Sequence, residues 1–188
     1  MNWFIENYVC GSRMAAYLNS VAKNSDIKDG FIVFVRNPID RFWSAVKKTH
    51  GYKKEYPNGL TSDMGTFVED YKAAINQSIS DLQGTQDVHF LPQCKNIEGK
   101  TIVRKIFMDE FFEPNVRKCL DDYNFSFIDG FCIDDWFNVN RNPQKNDSHA
   151  LKYIKEDKAI FGKLTMYYKD DFALSASNIR KSQKRRKT

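Results

Sequence analysis

An arginine at the end of an apolar run and a serine on the following helix are the first residues that could do chemistry. FIVFV at 31–35 is a continuous apolar segment, and Arg36 follows it directly. A buried strand needs no arginine for packing, and an unpaired buried cation is costly, so Arg36 needs an anionic partner. A guanidinium suits phosphate, and the Ser44 hydroxyl can add a directional hydrogen bond. The pair predicts an anion site, with an internal salt bridge to Asp or Glu as the alternative for Arg36.

The position of Ser44 along its helix determines where such an anion would lie. Ser44 comes nearly two turns into the helix, about 10 Å along its axis. An anion that contacts both Arg36 and Ser44 would therefore lie beside the helix and not at its N-terminal end.

The loop VCGSR at 9–13 is a second candidate for binding an anion. Gly11 allows close approach of the backbone, Ser12 supplies a hydroxyl and Arg13 a positive charge, and a helix is predicted to follow. The Walker pattern GxxxxGK[ST] is absent. Taken alone, the same residues are equally typical of a loop glycine and a helix cap.

Strands and helices must position these two loops. The lack of alternation in 31–35 indicates a strand covered on both faces, as in a parallel sheet. Pro38 fits the first position of a helix, whose apolar stripe is Ile39, Phe42, Trp43 and Val46. Elsewhere the sequence predicts strands at 3–6, 101–107 and within 125–133, helices at 14–23, 63–79, 113–123 and 149–174, and irregular segments at 51–61 and 82–98. This order favours an α/β layered fold, in which ligands bind at the carboxyl ends of parallel strands.

Charge and cysteine content limit the possible classes of protein. The net charge is +5, and the last nine residues contain six basic side chains and no acid, so the rest of the chain is close to neutral. Four cysteines without a CxxC pair favour free thiols in a reducing compartment over a zinc site. No run reaches the roughly 20 apolar residues of a membrane span, and the N-terminus is too polar for a secretory signal. We therefore expect a soluble, cytoplasmic protein.

Three segments resemble the sulfotransferases that use 3′-phosphoadenosine 5′-phosphosulfate (PAPS), most closely their Golgi-type carbohydrate branch. VFVRNPIDRFWSAVKK is similar to the 3′-phosphate-binding motif, in which a strand ends in Arg and is followed by Asp/Asn-Pro, an acid, Arg and then Ser-Ala. DVHFLPQC at 87–94 resembles the His-aromatic-x-Pro-Gln segment of that family. Tyr168, Asp171, Phe172 and Leu174 match its closing element.

The resemblance implies a P-loop-NTPase-like, three-layer α/β fold with a central, mostly parallel sheet flanked by helices. It implies one domain over 1–176, followed by a basic, disordered tail over 177–188. It also implies transfer of a sulfuryl group from PAPS to a hydroxyl of an acceptor, a carbohydrate, with PAP as product and no metal. The residues that would bind PAPS are Cys10, Gly11, Ser12 and Arg13 around the 5′-phosphosulfate, and Arg36 and Ser44 at the 3′-phosphate.

One position departs from the family pattern. Tyr8 stands where these enzymes carry a lysine that helps the leaving group depart. Arg13 is the candidate catalytic cation in its place, and another cation is the alternative. If neither acts, the protein would bind PAPS or PAP without turnover.

His89 is the candidate general base. An ordinary imidazole titrates at about 6.5, which suits proton abstraction near neutral pH. A structural loop histidine is the alternative reading of His89, and His50, Asp87 and Glu6 are alternative bases.

Other readings come from different functional classes. A nucleic-acid-binding module would use the basic tail and stacking aromatics, but the near-neutral body makes nucleic acid an unexpected partner. A kinase would need the missing Walker lysine. For an acidic polysaccharide, Lys47, Lys48, Lys53 and Lys54 form a possible docking strip, which a solvated face explains equally well. The sequence predicts no oligomeric state.

Overall fold

The computed structural model describes residues 4, 12–51, 54–55, 61–62, 68, 70–85, 87–139 and 147–176. Over these residues the chain is a mixed α/β protein whose sheets are small. Its elements follow in the order α1 (Ser12–Val21), β1 (Ala22–Asn24), β2 (Phe31–Val35), α2 (Pro38–His50), β3 (Lys54–Glu55), β4 (Thr61–Ser62), α3 (Tyr71–Asp81), α4 (Gln93–Ile97), β5 (Ile102–Phe107), α5 (Phe112–Asp122), β6 (Ser126–Phe127), α6 (Ile133–Val139), α7 (Asp147–Glu156), α8 (Lys158–Tyr167) and α9 (Lys169–Ala176).

The chain forms two compact units. The first comprises Met1–Asn37, Pro92–Asn142 and Asp170–Thr188, and the second comprises Pro38–Leu91 and Pro143–Lys169. The single domain predicted over 1–176 stays a prediction, and the tail at 177–188 lies outside the described residues.

A parallel strand pair is the centre of the first unit. β2 pairs with β5 in parallel, and Phe4 adds a parallel bridge to Ile32. Four of the five β2 residues are buried, which confirms the predicted strand covered on both faces. β1 and β6 form a separate antiparallel pair. A larger central parallel sheet stays an expectation, because the described strands form two-stranded sheets only.

Gly30 allows β2 to start close to β5. A Cβ atom at this position would lie 2.5 Å from Cγ1 of Val103 and 3.1 Å from the carbonyl oxygen of Thr101. Any larger residue would therefore push the two strands apart at their first pair.

The first unit has an apolar core rich in aromatic rings. Phe34 projects from β2 and packs edge-on against Phe112 of α5, with ring centroids 5.2 Å apart. Phe4 packs against the same Phe34 ring at 5.5 Å. The high phenylalanine content thus serves core packing here. The other buried members of this core are Ala15, Leu18, Ile27, Ile32, Ile106, Val116, Cys119, Leu120, Trp136 and Phe137.

Helices dominate the second unit. α2, α3, α7 and α8 pack on one another, and β3 and β4 form a short antiparallel pair in the segment predicted to be irregular. The predicted apolar stripe of α2 is buried, which confirms it. Arg41, Ser44 and Lys47 on the same helix are buried as well, so burial on α2 extends beyond the predicted apolar stripe.

Several element boundaries correct the sequence-based expectations. The helix predicted over 14–23 ends at Val21, and residues 22–24 pair with β6 as a strand, because tertiary pairing outweighs local propensity. α3 begins at Tyr71, where the Asp70 carboxylate accepts from the backbone N–H of Ala73 and caps it. Residues 63–67 of the predicted helix lie outside the described residues. α4 lies in a segment predicted as loop, and α6 was not predicted. The helix predicted over 149–174 is three consecutive helices, α7, α8 and α9.

The described helices and cysteines bear on membrane insertion and on the state of the thiols. None of their helices combines the length and the apolar character needed to cross a bilayer. The three cysteines among them, Cys94, Cys119 and Cys132, are free thiols.

Candidate functional site

Arg36 lies where the sequence placed it, directly after the carboxyl end of β2 in the first unit. Its side chain is half-buried, and it has no ion pair with any carboxylate in the described part of the chain. The alternative of an internal salt bridge therefore finds no support among those residues. The guanidinium is a half-buried cation available to an external anion.

The side chain of Gln93 fixes the backbone around Arg36. Its Nε2 donates to the carbonyl oxygen of Phe34 at 2.5 Å, and its Oε1 accepts from the backbone N–H of Arg36 at 3.3 Å. One amide thus forms the two hydrogen bonds that a neighbouring strand would make, at the point where β2 ends. Gln93 is 2 % exposed, so these bonds form away from water.

Asp171 in turn fixes the segment that carries Gln93. One carboxylate oxygen accepts from the backbone N–H of Gln93 and the other from that of Cys94, both at 2.7 Å. These N–H groups open α4 and have no partner within that helix, so the carboxylate of α9 caps α4 across 78 residues of sequence. We call Gln93 and Asp171, with the end of β2, the strand-end clamp.

The carboxylate of Asp171 also affects the pKa of the Cys94 thiol. Burial, a side-chain hydrogen bond to Asp171 and the negative charges of Asp171 and Asp170 raise its pKa to about 11. The thiol therefore stays protonated at neutral pH and is a poor nucleophile.

In the second unit, Arg41 lies against the ring of Tyr168. The guanidinium carbon is 5.0 Å from the ring centroid, and both side chains are buried. The hydroxyl of Tyr168 donates to the carbonyl oxygen of Phe90 at 2.7 Å. Ser44, one turn further along α2, is 3 % exposed. Tyr168 thus links the closing element of the sequence to the DVHFLPQC segment.

His89 lies in a cluster of three ionisable side chains in the second unit. Its Nδ1 is 2.5 Å from Oδ1 of Asp87, and its Nε2 is 2.5 Å from Nζ of Lys48. The backbone N–H of His89 also donates to Oδ1 of Asp87 at 2.9 Å. We call Lys48, Asp87 and His89 the ionic cluster.

The partners determine which ring nitrogen of His89 carries the proton. An ammonium has only donors, so Nε2 must accept from Lys48. A carboxylate has only acceptors, so Nδ1–H donates to Asp87. The ring is held as the neutral Nδ1–H tautomer.

The pKa of Asp87 agrees with this pairing. Partial burial raises it, but hydrogen bonds from the backbone and ring of His89, with the positive charge of Lys48, outweigh burial and lower it below the ordinary aspartate value. Asp87 is therefore ionised at neutral pH and serves as the partner of the histidine, not as a base.

The remaining predicted residues have separate outcomes. Cys10 and Gly11 lie outside the described residues, as do Tyr8, Glu6 and Lys53. Ser12 and Arg13 form the first turn of α1, where the backbone alone is described, so they belong to a helix and not to the predicted loop. His50 contacts the hydroxyl of Ser78 at 3.1 Å. Arg36 is in the first unit and Ser44 in the second, so their contact with one anion stays a prediction.

No protein-family model, curated protein or solved structure matches the chain. The resemblance to sulfotransferases therefore depends on the residues of this chain. Among the described residues no group of three or more His, Cys, Asp or Glu side chains could hold a metal ion.

Sequence reasoning missed the roles of Lys48, Gln93 and Asp171. The sequence analysis places Lys48 only in the possible docking strip. Gln93 and Asp171 lay inside matched segments, yet neither was assigned a contact. Their positions could have indicated these contacts. Segments that resemble one family and follow in the same order are expected to meet in the fold, so polar residues inside them are candidates for contacts with one another.

Proposed function

We propose that the protein is a PAPS-dependent sulfotransferase that transfers a sulfuryl group to a hydroxyl, on a carbohydrate acceptor, in the cytoplasm. The finer fold that goes with this proposal is the P-loop-like layered architecture around a mostly parallel sheet. Both proposals rest on this chain's own residues.

The strand-end clamp is the observation that carries the proposal. The three segments that resemble the family lie far apart in the sequence, and residues of all three meet in the clamp. In the first unit, Gln93 of the second segment binds the backbone on both sides of Val35, and Asp171 of the third segment binds Gln93. The clamp holds Arg36 at the carboxyl end of a parallel strand, the edge at which α/β proteins bind ligands.

The proposed roles follow from chemistry at each position. Arg36 binds the 3′-phosphate through its planar fork. Ser12 and Arg13, at the start of α1, bind the 5′-phosphosulfate with Cys10 and Gly11. His89 receives the proton of the acceptor hydroxyl, and Asp87 stabilises the imidazolium that forms. Like phosphoryl transfer, the reaction needs mainly alignment and charge stabilisation.

Calorimetry with PAP on wild type and Arg36→Ala tests the donor site. We expect the variant to lose about 1.5–3 kcal/mol of binding free energy, since a charged hydrogen bond to phosphate is removed. Arg36→Lys keeps the charge but not the fork, so it should retain only part of the affinity.

Arg117→Ala is the matched control. It removes a half-exposed cation from α5 of the same unit, where its partners are Glu113 and Asp134. PAP should bind this variant as it binds the wild type. Equal binding by wild type and Arg36→Ala, or no binding to wild type, would refute the donor assignment.

A screen of glycans with sulfur-labelled PAPS identifies the acceptor. Label on a glycan supports transfer, and its loss in His89→Gln supports the base. PAP binding without transfer to any glycan would favour the alternative, a nucleotide-binding protein without turnover, which the tyrosine at position 8 keeps open.

A further inference from the structure

The chain passes between the two compact units at four peptide bonds, and three of the four are bonds to a proline. These crossings are Asn37–Pro38, Leu91–Pro92, Asn142–Pro143 and Lys169–Asp170. The chain has five prolines, so most of them stand where it changes unit. A proline fixes its own φ angle and restricts the residue before it, so such a connection has few dihedral angles that can change. The crossing at 142–143 lies outside the described residues.

The strand-end clamp holds the other three crossings together within the first unit. Arg36, Gln93 and Asp171 belong to three separate segments, and each stands one residue away from the end of its segment at a crossing. The backbone N–H of Arg36 donates to the side chain of Gln93, and the backbone N–H of Gln93 donates to Asp171. One hydrogen-bonded group therefore fixes the places where three connections leave the first unit.

The second unit fixes its own ends of the same connections. Tyr168 and Phe90 each stand one residue before a crossing, and the hydroxyl of Tyr168 donates to the carbonyl oxygen of Phe90 at 2.7 Å. α2 begins directly after the remaining crossing. Its Arg41 lies 5.0 Å from the ring centroid of Tyr168, and the ring of its Phe42 lies 5.8 Å from that of Phe90. All four side chains are buried, so these ends are also held at one place.

Only a few residues lie between the two sets of fixed points. They are Asn37 at the first of these crossings, Leu91 and Pro92 at the second, and Lys169 and Asp170 at the third. We call these residues the triple crossing. Protein hinges are typically a few residues at the ends of elements that absorb changes in φ and ψ. Because its segments are short and held at both ends, the triple crossing allows one unit to turn but not to move far away.

We propose that the triple crossing is a hinge and that binding of the sulfuryl donor closes it. This inference rests on the proposed function, which assigns the 3′-phosphate to Arg36 of the first unit and the acceptor proton to His89 of the second. Transfer needs donor, acceptor and base in line, so the two units must adopt one arrangement during the reaction. Binding shifts the hinge toward closure because the donor binds the closed arrangement more tightly. The clamp keeps the backbone of Arg36 fixed while the hinge turns.

Double electron–electron resonance between two nitroxide labels tests the hinge without a turnover assay. One label replaces Lys118 of α5 in the first unit and the other replaces Lys152 of α7 in the second, and both positions are exposed. Attachment through a genetically encoded ketone amino acid leaves the cysteines unmodified. Labels at Lys23 and Lys118, both in the first unit, form the reference pair.

The width of the distance distribution is the measured quantity. In the ligand-free protein we expect the pair between units to give a wider distribution than the reference pair. Saturating PAPS, with binding verified by calorimetry, should narrow it to the width of the reference. Equal widths for the two pairs in the ligand-free protein would overturn the inference.

Proline variants show whether the triple crossing itself is the hinge. Pro92→Ala removes the restriction at one connection, so the ligand-free distribution between units should widen further. Pro114→Ala changes a proline inside α5, away from the crossings, and should give the wild-type width. A folded Pro92→Ala protein with the wild-type width would place the motion elsewhere and contradict the proposal.

The inference and the proposed function fail in distinguishable ways. If calorimetry shows PAPS binding and the distribution keeps its width, closure by the donor is wrong and the sulfotransferase proposal stands. If PAPS does not bind, the proposed function is wrong and closure by the donor fails with it, whereas the ligand-free width still decides whether the hinge exists.

Discussion

The strand-end clamp and the ionic cluster hold their functional groups in opposite ways. In the clamp, buried side chains bind backbone groups: Gln93 and Asp171 are both 2 % exposed, and each forms two hydrogen bonds to the main chain. In the cluster, partly exposed side chains bind one another, and only one contact involves the backbone.

This difference makes the clamp rigid and allows the side chains of the ionic cluster to rearrange. Buried main-chain partners have no water to replace a lost side chain, so the clamp contributes to stability and fixes one geometry. Exposed charged partners exchange readily with water and ions, so the cluster contributes little stability and can rearrange.

Removing the Asp171 carboxylate should have the largest effect. Asp171→Ala leaves two backbone N–H groups of α4 without their partner, and we expect a loss of about 3 kcal/mol in the free energy of unfolding. Urea denaturation measures it. As a control, Asp170→Ala removes the exposed neighbouring carboxylate and should change stability little. Equal losses of stability in the two variants would contradict the stabilising role of Asp171 in the clamp.

The thiol of Cys94 reports the same carboxylate chemically. Its pKa is raised from 9.0 to about 11, so at pH 8 its thiolate fraction should be about 100-fold below that of an ordinary thiol. Peptide-resolved alkylation with iodoacetamide, against N-acetylcysteine as reference, measures the rate. Asp171→Asn removes the negative charge and should speed alkylation, whereas reaction of wild-type Cys94 at the reference rate would contradict this environment.

Gln93→Ala should have a smaller effect than loss of Asp171. It removes two side-chain hydrogen bonds at the end of β2, one of them long, and we expect about 2 kcal/mol lower stability by urea denaturation. The control is Gln77→Ala on α3, whose side chain bonds Asp81 on the surface. Weaker PAP binding by folded Gln93→Ala would show in addition that the clamp positions Arg36.

Breaking the ionic cluster should affect stability least. The pKa of Asp87 is lowered in the folded protein, so its pairing stabilises at neutral pH, and this contribution disappears as the pH falls below about 4. Because Asp87 is 36 % exposed, Asp87→Asn should cost less than about 1 kcal/mol at pH 7 and nothing in acid. Urea denaturation at both pH values measures this, and a cost of several kcal/mol would make the cluster a structural element like the clamp.

Strong local patterns made much of the fold predictable. The unbroken apolar run of β2 and the Pro38 start of α2 correspond to observed elements, because both depend on neighbours in sequence. Residues 22–24 and α4 were not predictable in this way. Their conformations depend on partners about 100 and 78 residues away, namely β6 and Asp171.

The candidate site divides in the same manner. The sequence by itself determined Arg36 at the end of a buried strand and His89 in a polar segment, since residue type and local pattern carry that information. Only the tertiary structure decided that Gln93 and Asp171 fix the strand end, and that Lys48 occupies Nε2 of His89. The reason is geometric, because a hydrogen bond needs two atoms within about 3 Å, and the chain brings such atoms together only when its distant segments pack.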